Sequence, residues 1–143
     1  MPAELSAVVT LQEGMHFVGS VPSGPQIDLD SPGAEGAGAG PSPMELVLIS
    51  LAGCSGMDVI SILRKKRQPV EGLEVRVRGA RSDEYPTVYT AIELEYLVRG
   101  ADVDPGAVAR AIDLSRDRYC PVWAMLGQGA SISASFEIVG AAG

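Results

Sequence analysis

The first 63 residues of this chain contain no lysine and no arginine; the first such cation is Arg64. Across the whole sequence 11 Lys and Arg stand against 18 Asp and Glu, a formal charge of −7. Nucleic-acid affinity comes largely from cations that neutralise phosphates, so a nucleic-acid partner is disfavoured. The opening "MPAELSAVV" shows neither the basic n-region nor the long apolar h-region of a secretory signal. A cytoplasmic location is therefore the expectation, and in a reducing compartment cysteines serve as structural thiols or as a redox pair. Histidine is also scarce: His16 is the only one. A His-rich metal site is excluded, zinc on two cysteines and one histidine is poorly supported, and no Ser/His/Asp constellation can be assembled. No cofactor motif stands out. "GAEGAGAGP", residues 33–41, is glycine-rich and precedes a helix, but lacks both the G-x-G-x-x-G spacing and a lysine for phosphate. It reads as a flexible loop.

What the chain does have is apolar content, 46% over 143 residues, enough for the core of one domain spanning 1–143. Much of it lies in "PSPMELVLISLAGCSGMDVISILRKKRQ", residues 41–68. The run from Leu46 to Leu63 followed by "RKKR" matches a membrane span in length and flanking charge. Asp58 near its middle, three serines and two glycines argue against that, because a charge at mid-span is expensive. As a helix outside a membrane the segment has a defined start. Ser42 is the N-cap, Pro43 the first helical residue, and Glu45 completes a capping box. Running to about Lys66, the helix is roughly 36 Å long. It is apolar on all sides, and one small sheet covers only one side. A second protomer on the other side is predicted, giving an obligate dimer.

Around this helix the pattern alternates. "LSAVVTL", "MHFVGSV" and "PQIDLD" predict three short strands before it. "LEVRVRGAR" and "TAIELEYLV" predict half-buried antiparallel strands after it, with Arg76 and Arg78 able to pair with Glu93 and Glu95 across them. Asp104 and Pro105 open a second helix, Pro121 ends it or begins a short third, and "SISASFEIV" closes the chain as a strand. The fold class is α+β. His16, apolar-flanked in a strand, reads as a hydrogen-bonded surface or interface residue.

The two cysteines occupy different settings. Cys54 sits inside the apolar run, where a thiolate loses the solvation it needs. Cys120, in "RYCPVWAML", precedes a proline at a helix start, where free N–H groups favour a thiolate. Local physics alone makes Cys120 the more acidic. Either residue read in isolation is also an ordinary packed core thiol.

"PMELVLISLAGCSGMDVISIL" together with "RYCPVWAML", their cysteines 66 residues apart, resembles the OsmC/Ohr family of cytoplasmic thiol proteins. The resemblance covers nearly the whole chain. It implies an OsmC-like fold, with antiparallel sheets and a long buried central helix, and an intertwined homodimer that brings the cysteines together at its interface. It also implies roles. Cys54 attacks an organic hydroperoxide, Cys120 resolves the sulfenic acid into a disulfide, and a dithiol reductant reopens it. The alternative is a non-peroxidase member that uses the same pocket for a small hydrophobic ligand or for redox sensing.

Two positions depart from that family's peroxidases. Their helix begins "PEE" or "PEQ", with a glutamate where this chain has Met44, and Glu45 is one residue, or about 100°, out of place. Their activating arginine comes from the N-terminal strands, where this chain has none. Arg81, Arg116, Arg118 and His16 are the candidates to supply positive charge in its place.

Overall fold

The computed structural model describes residues 3–140 and contains six strands and three α-helices among them. The chain divides into two compact units, Met1–Val47 and Leu48–Gly143.

In the first unit β1 (Val8–Leu11), β2 (Phe17–Ser20) and β3 (Gln26–Leu29) form an antiparallel sheet in the order β1-β2-β3. These are the three predicted strands. His16 lies just before β2 rather than in a strand, and it makes the expected surface hydrogen bond, to the Asp28 carboxylate of β3 at 2.8 Å. The glycine-rich segment after β3 corrects the expectation of a flexible loop. Asp30 is buried, and its carboxylate accepts backbone N–H bonds from Ser31 at 2.8 Å, Ala37 at 3.0 Å and Ala39 at 3.1 Å. The Ala39 and Ala37 bonds hold that carboxylate below its usual range, and burial opposes them. Glycine is needed here because a Cβ on Gly36 or Gly40 would run into the carbonyls of Ser31 and Asp28. The composition that looked like slack is what lets the loop fold tightly around one carboxylate.

Helix α1 (Pro43–Lys65) starts as predicted. The Ser42 N–H donates to Glu45 Oε1 at 2.9 Å and the Glu45 N–H to Ser42 Oγ at 3.2 Å, a reciprocal capping box. Glu45 is thereby committed to the cap, which holds its carboxyl below the usual range.

The second unit contains the sheet β4 (Gly72–Arg81), β5 (Tyr89–Arg99) and β6 (Ser131–Val139), in that order. β4 and β5 are antiparallel, with Arg76 opposite Glu95 and Arg78 opposite Glu93. Both cross-strand ion pairs form, Arg76–Glu95 at 3.6 Å and Arg78–Glu93 closer. β6 joins β5 in parallel, a relation that alternation within a strand does not encode. The parallel return needs a crossover, supplied by α2 (Pro105–Leu114), a π-helical turn over Ser115–Tyr119 and α3 (Pro121–Leu126). Asp104 caps α2 by accepting from the Gly106 N–H at 3.1 Å.

Ile92, Leu94, Tyr96 and Val98 line one face of β5 and are buried with Leu51, Val59 and Leu63 of α1 and Val108 and Ala111 of α2. Leu51, Ser55, Val59 and Leu63 recur every four residues, so the packed face of α1 is a stripe. Outside that stripe Ile49 and Met57 are 52% and 72% exposed.

Candidate functional site

Cys54 lies mid-way along α1 and is half-buried; Cys120 is the buried N-cap of α3. Their side chains are near enough for Cys54 to act on the Cys120 proton, so two thiols far apart in sequence are neighbours within one chain. The chain reaches this arrangement through the crossover: the Cys120 N–H bonds the Ser115 carbonyl at 2.9 Å, closing the π-turn that ends α2 and placing the sulfur at the start of α3. Both thiols are free.

The helix start does not make Cys120 an acidic thiol, contrary to expectation. The Trp123 N–H does donate to its sulfur at 3.3 Å, as a helix start should provide. Burial outweighs that bond, and Cys54 and the Asp58 charge add to burial, so the Cys120 thiol is pushed up to about 11. One N–H from a short helix replaces too little of the water a thiolate loses.

Beside the sulfurs runs a buried polar chain that was not anticipated from sequence. Ser55 Oγ pairs with the Tyr96 hydroxyl at 2.5 Å and with Ser115 Oγ at 2.8 Å, and Ser115 Oγ donates to Asp58 Oδ2 at 2.9 Å. Ser55, Tyr96 and Ser115 are completely buried. Burial pushes Tyr96 up to about 12, against the bond to Ser55. A signal for this chain existed. Ser55 and Asp58 follow Cys54 by one and four residues, and a carboxylate inside an apolar helix calls for a partner.

The cations considered from sequence have other partners. Arg81 donates to the Thr87 carbonyl at 2.7 Å, Arg116 pairs with Asp117 at 2.7 Å and Asp113 at 3.3 Å, and Arg118 lies 5.6 Å over the Tyr119 ring. His16 is held by Asp28. The charged group that acts on the Cys120 sulfur is a carboxylate, Asp58.

The described residues hold no group of three or more His, Cys, Asp or Glu placed for a metal ion. The Ala37 and Ala39 N–H groups of the glycine-rich loop already serve Asp30.

With the thiol pair on this crossover fold, the class is defined: residues 36–135 match the family model described as OsmC-like protein, and the chain belongs to that family. Protein YhfA of Escherichia coli strain K12 is 44% identical over 137 residues, 96% of this chain and 100% of that protein. A hypothetical protein from Aquifex aeolicus VF5 superposes with a TM-score of 0.86 at 30% identity, over 99% of this chain and 100% of that one. The organic hydroperoxide resistance protein OhrB of Bacillus subtilis shares the fold, with a TM-score of 0.61 at 19% identity over 92% of this chain and 98% of that one. Family membership suggests a redox or stress-related function.

Proposed function

We propose that this protein reduces organic hydroperoxides through Cys54 and Cys120, as a cytoplasmic homodimer recycled by a dithiol. The observation that supports this is that a half-buried thiol neighbours a buried one that keeps its proton at neutral pH. Cys54 is the reachable partner and takes the attacking role. Its sulfur displaces alcohol from the hydroperoxide: the S–O bond forms, the O–O bond breaks, and the departing alkoxide takes a proton. Cys54 is left as a sulfenic acid. Cys120 then attacks that sulfur, releasing water and forming the disulfide, which an external dithiol reduces by exchange.

With no cation on the sulfurs and Asp58 nearby, turnover is expected to be slow beside enzymes that carry an activating arginine. The test is consumption of an organic hydroperoxide with a dithiol present. Wild type should consume it, Cys120→Ser should accumulate a trappable sulfenic acid on Cys54, and Cys54→Ser should be inert. Full consumption by Cys54→Ser reverses the roles.

A second reading has its own support. An open groove of ≈ 590 Å3 runs between α1 and β4, with Ile49, Met57, Ile60, Leu73 and Val75 among its walls. It suits a small hydrophobic ligand, and this reading takes over if neither cysteine oxidises with hydroperoxide.

A further inference from the structure

The thiol pair leaves one chemical demand unmet. Cys120 is buried and protonated, yet it must lose its proton at the moment its sulfur closes onto Cys54. The polar chain beside it includes a carboxylate, Asp58, whose charge acts on the Cys120 sulfur. Ser55 and Asp58 follow Cys54 on α1, Asp58 being about 40° around the helix from it and one turn along. Both grip Ser115, whose backbone carbonyl holds the Cys120 N–H. The helix that carries one sulfur is thus tied through side chains to the turn that carries the other.

We propose that Asp58 is the base for disulfide closure, receiving the Cys120 proton, and that Ser115 is the positioning residue that keeps the Cys120 turn against α1. The proposal rests on the thiol-pair reading above. In closure the Cys120 S–H proton passes to the Asp58 carboxylate while the S–S bond forms. The S–OH bond of the Cys54 sulfenic acid breaks, and the leaving hydroxide takes the proton back from Asp58 as water. Protons and electrons balance, and Asp58 is regenerated. Asp58 is suited to the task because it is only half-buried. It lines an open groove of ≈ 350 Å3 with Ser61, Ile62, Leu114, Lys65, Lys66 and Tyr119, so it can exchange protons with solvent. The titratable groups around it are Cys54, Lys65 and Lys66 on α1 and its end, Tyr96 on β5, Tyr119 on the π-turn and Cys120 at α3. Tyr96 stays protonated to about 12 and Cys120 to about 11, so neither competes as a base at neutral pH.

Closure can be followed without hydroperoxide. Dithiobis-nitrobenzoate forms a mixed disulfide on Cys54 with release of one coloured thiolate; Cys120 then closes onto Cys54 and releases a second. In this reaction Asp58 keeps the Cys120 proton and passes it to water. The expected wild-type rate of second release levels off across neutral pH. Without a base it climbs about tenfold per pH unit toward the thiol's own ionisation. Asp58→Asn, which can still accept from Ser115, should be slower by about 100-fold at neutral pH and should recover only in alkali. Asp58→Glu should restore a plateau. Ser115→Ala should slow closure at every pH while keeping the plateau, as expected of a residue that positions without taking a proton.

A wild-type rate that rises tenfold per unit through neutral pH overturns the proposal, as does an Asp58→Asn profile identical to wild type. Absence of a second release from wild type overturns it too, since closure then does not occur. The wild-type profile stands alone if Asp58→Asn fails to fold. Because hydroperoxide takes no part, a failed peroxidase assay and a failed plateau are separate results.

Discussion

At Cys120 burial and a helix start act in opposite directions on one proton, and burial wins. The consequence extends to stability. An unfolded cysteine ionises near 9.0, whereas the folded thiol holds its proton to about 11. The folded state therefore binds the proton more tightly. Its stabilising contribution is complete below about 9 and is lost as pH rises through the folded value. Two units correspond to roughly 3 kcal/mol at most. Tyr96 acts with the same sign, from 10.0 to about 12. The melting temperature should fall steeply above about pH 9, and Cys120→Ser should flatten the first part of that fall, measured by circular dichroism in a pH series. An alkaline profile unchanged by Cys120→Ser would mean that the buried thiol is not what titrates. Iodoacetamide at neutral pH should correspondingly spare Cys120 in the folded protein.

The elements differ in how far their sequences announce them. α1 was legible from "SPME" because a capping box is a local contract among three residues, and its bonds form as written. The β4–β5 ladder was legible because period-two alternation fixes both the buried face and the charged one. The parallel placement of β6 was not, since pairing direction depends on the path of the crossover. Nor was the order of the loop after β3, where glycines that usually loosen a chain instead admit carbonyls to close range. The polar chain was missed for a related reason: Ser55, Asp58, Tyr96 and Ser115 come from three elements, and their meeting is tertiary. Two tests belong at this scale. Asp30→Ala should free the Ala37 and Ala39 amides, raising their hydrogen exchange by at least about tenfold while β5 amides stay protected. Leu63→Ala, at a fully buried position of the α1 stripe, should destabilise by about 2–5 kcal/mol in denaturant titration. A loss below about 1 kcal/mol would mean that the α1 stripe is not packed as described.

For the molecule as a whole the uncovered side of α1 is the feature to account for. By length and composition this helix could cross a membrane, and only 28% of its most apolar stretch is buried within the chain. Asp58 lies on that same helix, bonded to Ser115 of the π-turn, and in hydrocarbon it would be costly. A second copy of the chain laid against the groove between α1 and β4 would cover Ile49 and Met57 without such a penalty. We therefore expect a homodimer whose interface includes the exposed stripe of α1. Light scattering should give about twice the 14.9 kDa chain mass down to micromolar concentration. Met57, 72% exposed and outside the packed stripe, is the informative substitution. In a lone chain Met57→Glu places a charge in water and should change stability by no more than about 0.5 kcal/mol. In the dimer it buries an unpaired carboxylate, which should shift the scattering mass toward that of one chain. A mass near 14.9 kDa for wild type at every concentration would refute the dimer. A Met57→Glu protein that stays dimeric and fully stable would move the interface away from this face of α1, leaving the groove open for a hydrophobic ligand.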